Sequence, residues 1–338
     1  MKKISILFLG LCMFASCGKD DDNNDNADNV KKSDAKAITA FVFTTADNEA
    51  LTEDIKAEIN EDDKTIVLEL PSVVNLAALK PTITISEKAT VNPKEKVSTD
   101  FSSAVTYTVT AEDDTKVEYS ATITRALTER EALTALYNAN PDNELGWDLE
   151  ETDIATWRGV TLNDDGKLVK LDLELDSLPT AIRYLTNLRE LDLSFSSLTS
   201  LPPEIGNLTN LGKLLLSLNS LTSLPPEIGN LTNLEELALN QNSLTSVPPE
   251  ISKLTNLVDL RLWGNSLVSV PAEIGNLTNL EELRLDSNSL TSLPSDIGKL
   301  TKLKLLWIGG NEITSIPKEI CDLNTPNFQT DATAECEQ

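Results

Sequence analysis

Residues 185–322 repeat six times at a fixed 23-residue period, and one unit, residues 231–253, reads LTNLEELALNQNSLTSVPPEISK. Every unit places apolar side chains at the same offsets, as in Leu231, Leu234, Leu237, Leu239, Leu244, Val247 and Ile251, with a single amide, Asn242, among them. A unit this short has no core of its own. Such units become stable only by stacking, so that successive coils share one leucine interior and satisfy each other's backbone groups.

Leu211, Leu214, Leu216, Asn219 and Leu221 fit the pattern LxxLxLxxNxL, and through it the repeats resemble the leucine-rich repeat family. The resemblance implies an α/β solenoid, the family's horseshoe, over residues 167–322. Asn219, Asn242, Asn265, Asn288 and Asn311 recur where that family builds an asparagine ladder, a role suited to an amide that both donates and accepts. Ser196 interrupts the series in the first regular unit. The outer half of each unit, as in Leu224-Pro225-Pro226-Glu227-Ile228, resembles the LPxxI subclass, where proline disfavours a long helix and leaves a short convex turn.

Successive side chains of a strand alternate between faces, so the leucines of LxxLxLxxN turn inward and the x positions line the concave sheet. One column of these positions runs Asp172, Asp192, Leu215, Ala238, Arg261, Arg284, Trp307. A second runs Glu174, Ser194, Ser217, Asn240, Trp263, Asp286, Gly309. The face is therefore expected to be polarised. Asp172, Glu174, Glu190 and Asp192 make its first end acidic, Phe195, Leu215 and Leu218 occupy its middle, and Trp263 and Trp307 surround Arg261 and Arg284 at its far end. Exposed tryptophan beside arginine is the chemistry of interface anchors. The alternative is that the arginine stems merely cover the rings. For the acidic end a plain solvated surface competes with a calcium site or a glycosidase carboxylate pair. An open sheet offers little of the desolvation such an acid needs.

The chain opens with Lys2 and Lys3 and an apolar run over residues 4–14, the length of a secretory signal core rather than a membrane span. Phe14-Ala15-Ser16-Cys17 resembles a bacterial lipobox, which implies removal of residues 1–16 and lipidation of Cys17. Residues 18–25, GKDDDNND, resemble the acidic export tag of Bacteroidetes-type lipoproteins. That implies an outer-membrane, lipid-anchored address facing the cell exterior, with residues 17–35 as a tether. Read as an EF-hand from Asp20, the same run puts Asp25 and Lys31 where glycine and glutamate belong, so no calcium loop is expected.

Cys321 and Cys336 follow the last repeat in a chain addressed to an oxidising compartment; a disulfide is expected, two free thiols being the alternative. It would staple residues 323–338 over the solenoid's open end. The formal net charge is −26, which argues against nucleic acid as a partner and against attraction to anionic membrane, leaving the lipid as the membrane attachment. Histidine is absent, and no phosphate-cradling or nucleophile-elbow motif occurs, so neither an enzyme nor a cofactor is implied, and no metal site.

Residues 36–125 change texture. Alternating runs at 38–45, 65–70, 82–86, 104–111 and 116–124 read as strands of a small β-sandwich, the last two forming a hairpin. The segments LKPTITIS, ATVNP and VTYTVTAED resemble an Ig-like domain common in Bacteroidetes surface lipoproteins, whose implied role is a stalk, an independent binding module being the alternative. Between the two regions, residues 126–166 carry a capping box, Thr128 and Glu131, opening a helix with Leu133, Leu136 and Tyr137. With Trp147 and Trp157 this segment resembles the N-terminal cap of plant-receptor-like repeats. Ala155 and Leu162 stand where that family pairs cysteines, so packing must replace its disulfide.

These readings converge on a non-enzymatic surface lipoprotein whose concave face binds a protein ligand through Phe195, Leu215, Leu218, Arg261, Trp263, Arg284 and Trp307. The alternative is a glycan-binding lipoprotein of a nutrient-capture system, with Trp263 and Trp307 stacking on sugar rings.

Overall fold

The computed structural model describes residues 32–142, 144–323, 325–331 and 334–337. The signal segment, Cys17 and most of the acidic tether lie outside the described residues. The chain divides into two compact units, one of residues 32–68 and 75–124 and one of residues 69–74 and 125–337.

The first unit is β-rich. Strands β1 (Ile38–Phe43), β2 (Ile55–Lys56) and β5 (Pro81–Ile85) form one sheet, and β3 (Glu58–Asn60), β4 (Thr65–Leu70), β6 (Thr90–Asn92), β7 (Val105–Thr110) and β8 (Lys116–Arg125) form another. Alternation drives the burial: Tyr119, Ala121 and Ile123 of β8 are buried, and Glu118, Ser120 and Thr122 between them are exposed. Phe41 of the first sheet packs edge-on against Tyr107 of the second at 5.3 Å, and Phe43 against Phe101 at 5.5 Å. Strands β2, β3 and β6 are too short to show a period, and sequence patterning did not find them.

In the second unit, β9 (Val160–Leu162) pairs antiparallel with β10 (Leu168–Asp172). A parallel ladder then runs through β11 (Glu190–Asp192), β12 (Lys213–Leu215), β13 (Glu236–Ala238), β14 (Asp259–Arg261), β15 (Glu282–Arg284) and β16 (Leu305–Trp307). Leu171, Leu191, Leu214, Leu237, Leu260, Leu283 and Leu306 stand in register and are sealed from solvent. The outer segments, such as Pro226–Asn230, are single turns of 3-10 helix. Proline at the first helical position loses no bond there, and each turn buries one isoleucine, Ile228 in this case.

The amide ladder ties these coils together. Asn242 donates to the carbonyls of Leu216 at 2.8 Å and Leu239 at 3.0 Å and accepts from the Leu221 amide at 3.0 Å. Ser196 does not end the series, as its sequence suggests, because its hydroxyl still accepts from the Leu175 amide at 2.9 Å. At the other end Asp331 takes over, accepting from the amides of Gly310 and Asn311.

Both ends of the solenoid are closed. Helix α1 (Glu129–Asn138) carries the reciprocal capping box of Thr128 and Glu131 and buries Ala132, Leu133 and Leu136. Beside it Trp147 stacks on Trp157 at 4.7 Å and Tyr137 on Trp147 at 5.9 Å. Buried Asn140 accepts from the amides of Asp176 and Ser177 and donates to the carbonyls of Leu136 and Ser177. At the far end β17 (Ser315–Ile316) pairs with β19 (Glu335–Cys336), and β18 (Asn327–Gln329) extends the main sheet. A short helix, α2 (Lys318–Cys321), leads to the Cys321–Cys336 disulfide, Cα atoms 6.3 Å apart.

Candidate functional site

The open sheet face is built from three columns. The register aligns Asp172, Asp192, Leu215, Ala238, Arg261, Arg284, Trp307 and, from β18, Gln329. Backbone bonds just beyond the strands align Ser194, Ser217, Asn240, Trp263, Asp286 and Gly309, with Gln241 N to Trp263 O at 2.9 Å and Gly264 N to Asp286 O at 3.0 Å. The third column is Lys170, Glu190, Lys213, Glu236, Asp259 and Glu282. Sequence reasoning took only Glu190 from it, although its spacing of two residues from the first column already puts it on the same face.

This third column changes the chemistry of the arginines. Arg261 contacts both Asp259, on its own strand, and Glu236 on the neighbouring one, at 2.5 and 3.1 Å. Arg284 lies 3.4 Å from Glu282, and its guanidinium sits over the Trp307 ring, 4.6 Å from the centroid. Lys170 and Lys213 pair with Glu190 and Glu236 at 2.7 and 2.6 Å. Burial pushes the Asp259 carboxyl above its ordinary value although Arg261 beside it pulls the other way. Burial also raises the Asp286 carboxyl, and its Oδ1 is shielded without a hydrogen-bond partner among the described residues.

Trp263 and Trp307 are half-buried on coils two apart, and strand spacing of about 4.8 Å puts them roughly 10 Å from each other along the sheet. Leu215 lies on the same face in the middle of the ladder, half-buried beside the buried Ala238.

Phe195 and Leu218 are placed differently from the sequence expectation. Both follow the strands in left-handed backbone, with φ of 58° and 57°, and belong to a column continued by Gln241, Gly264, Ser287 and Gly310. Both stand one residue past the aligned Ser194 and Ser217, exposed and outside the three columns of the strand face. Phe195, 69% exposed, borders a recess of about 420 Å³ shared with Arg158, Asp172, Glu174 and Asp176. It therefore belongs to the acidic end. Among the described residues no group of three or more acidic, cysteine or histidine side chains is arranged to hold a metal ion.

A family model described as SGBP, N-terminal, matches residues 38–123. Models described as Leucine-rich repeat region, Leucine Rich repeats (2 copies) and Leucine Rich Repeat match residues 213–289, 278–321 and 187–208. No curated protein matches the chain. A leucine-rich repeat protein of Leptospira interrogans is 43% identical over 51% of this chain and 44% of its own, with a TM-score of 0.48. The Arabidopsis receptor kinase HAESA ectodomain, solved with an N-terminally extended IDA peptide hormone, is 25% identical over 62% of this chain and 41% of its own, with a TM-score of 0.50. A plant peptide hormone receptor solved with its peptide is 34% identical over 54% and 30%, with a TM-score of 0.47. This chain spans less than half the length of each. The fold is thus a β-rich N-terminal domain followed by a leucine-rich repeat solenoid, a scaffold generally non-enzymatic and typical of protein binding. The N-terminal match points to a cell-surface protein. No helix among the described residues is long and apolar enough to cross a membrane.

Proposed function

We propose that this chain is a non-enzymatic recognition lipoprotein, held at the outer membrane through lipidated Cys17 and facing the exterior, whose open sheet face binds a protein ligand. The observation that carries this reading is the group formed by Trp263, Arg284 and Trp307, with two half-buried indoles and the arginine stacked on one of them. Aromatic anchors beside a planar cation give large contact area at low entropic cost. The likeness to a receptor ectodomain solved with a peptide hormone supports the same reading. Residues 36–125 act as the stalk, residues 126–166 and 323–338 as the caps, and residues 17–35 as the tether.

Photo-crosslinking from the open face to a surface-exposed partner, followed by partner binding to Trp263→Ala and Trp307→Ala variants, tests the site. Loss of more than tenfold affinity in either variant is expected. Unchanged binding in both removes the proposal. Labelling with radioactive palmitate, absent from Cys17→Ser, tests the anchor.

A second reading is favoured by one specific observation, the N-terminal match of residues 38–123 to a family of surface glycan-binding systems. In it Trp263 and Trp307 stack on sugar rings. Retention of oligosaccharides on a glycan array, lost in Trp263→Ala, distinguishes it.

A further inference from the structure

The cations of the open face are committed internally. Lys170 pairs with Glu190, Lys213 with Glu236, Arg261 with Asp259 and Glu236, and Arg284 with Glu282 while stacking on Trp307. An anionic ligand would have to break one of these pairs and then lie against the carboxylate released. Asp286 is in a different position: among the described residues it forms no salt bridge, Arg284 acting on it only from a distance, and one of its oxygens is shielded and unpartnered.

Its surroundings are those of a small seat. In its own column Asp286 stands between Trp263 on the preceding coil and Gly309 on the following one, through the Gly264 N to Asp286 O and Ser287 N to Gly309 O bonds. Trp307 stands one column away on the coil of Gly309. Gly309 puts no side chain next to Asp286 in the column, although a Cβ there would meet nothing nearer than Asp331 Oδ1 at 3.7 Å. Two indoles about two strand spacings apart, roughly 10 Å, thus bracket one carboxylate.

We infer that Trp263 and Asp286, beside the Arg284-covered Trp307, together take one basic side chain, lysine or arginine, from an extended protein segment laid along the sheet face. The inference rests on the protein-ligand reading above and adds the chemistry of the partner. A cation over an indole face is held by the ring quadrupole, and a carboxylate beside it adds a charge-assisted hydrogen bond. Partial desolvation strengthens both contacts. A glutamate or aspartate in the same place would meet the Asp286 carboxylate and the negative faces of the rings. The net charge of −26 acts in the same direction at longer range, drawing basic segments to the protein.

The test uses the full chain and three synthetic twelve-residue peptides that differ only in carrying two arginines, two glutamates or neither, followed by tryptophan fluorescence and calorimetry. The arginine peptide is expected to bind best, and Asp286→Asn to weaken it about tenfold. Glu273→Gln, on an exposed outer turn, should leave it within twofold and so controls for overall charge. Failure of every peptide to bind, preference for the glutamate peptide, or an Asp286→Asn variant that binds like wild type each overturns the inference. If Trp263→Ala and Trp307→Ala abolish binding while Asp286→Asn does not, the basic-side-chain inference falls and the sheet-face site stands. If neutral oligosaccharides bind through the two tryptophans and no peptide does, the glycan reading replaces both.

Discussion

The guanidinium of Arg284 lies over the indole of Trp307 at 4.6 Å while its Nη2 reaches 3.4 Å from the Glu282 carboxylate two residues earlier on the same strand. One arginine therefore fixes a ring on the next coil and a carboxylate on its own. Its energetic role is to hold the tryptophan in place, which leaves its charge little to offer a ligand.

Arg284→Ala should accordingly shift the tryptophan emission and broaden near-ultraviolet dichroism with little change in far-ultraviolet signal. The stability loss should be about 0.5–1 kcal/mol, the range for a cation–π contact at a partly exposed site. An unaltered emission spectrum would contradict the stacking.

Asn242→Ala leaves the Leu221 amide without its acceptor and removes one of two side-chain donors from each of the Leu216 and Leu239 carbonyls, which Asn219 and Asn265 still reach. One unsatisfied buried polar group costs about 1–3 kcal/mol, and the loss in chemical denaturation should fall in that range. Because coils contact only their neighbours, exchange protection should fall first in the coils flanking residue 242. A uniform loss along the whole array would show that the ladder is not local.

Reduction of the Cys321–Cys336 disulfide, or its replacement by serines, removes the closure of a fifteen-residue span. The loop-entropy argument gives about 3 kcal/mol for a loop of that size. The effect should be concentrated at the C-terminal end, where β19 carries Cys336 and Asp331 caps the amides of Gly310 and Asn311. Limited proteolysis under reducing conditions should cut residues 322–337 before any repeat. Cleavage starting elsewhere would refute this.

Glu131 is held down to about 2, from an ordinary 4.5, first by hydrogen bonds from Arg125 and then by the Thr128 backbone. Its folded value is depressed, so its contribution is present above the unfolded value of about 4.5 and is lost as pH falls toward about 2. Glu131→Gln keeps the capping hydrogen bond and loses the ion pair with Arg125, so it should cost up to about 1 kcal/mol at neutral pH. The gap between variant and wild-type denaturation midpoints should close as the solution is acidified. Parallel curves through that window would remove the ionic part of the cap.

Much of this is legible in the sequence. Leu237 and Leu239 are inward and Trp263, Arg284 and Trp307 outward because alternation along a strand is local and the 23-residue period repeats it. The capping box of Thr128 and Glu131 is likewise written within four residues. What patterning missed is non-local or without a period. Phe195 and Leu218 read as face residues, but both follow the strands in left-handed backbone, a conformation that no side chain there announces.

The sequence alone determined the stacking unit, the direction each leucine faces and the order of side chains in each column, because these follow from the backbone's own repeat. Tertiary structure decided which charges are spent on one another. Arg261 meets Glu236 across 25 positions of chain, and Arg284 meets Trp307 across 23, only because parallel register brings adjacent coils to within a strand spacing of about 4.8 Å. At that distance a cation finds its carboxylate or its ring, while Asp286, which forms no salt bridge among the described residues, is left half-buried on the open face.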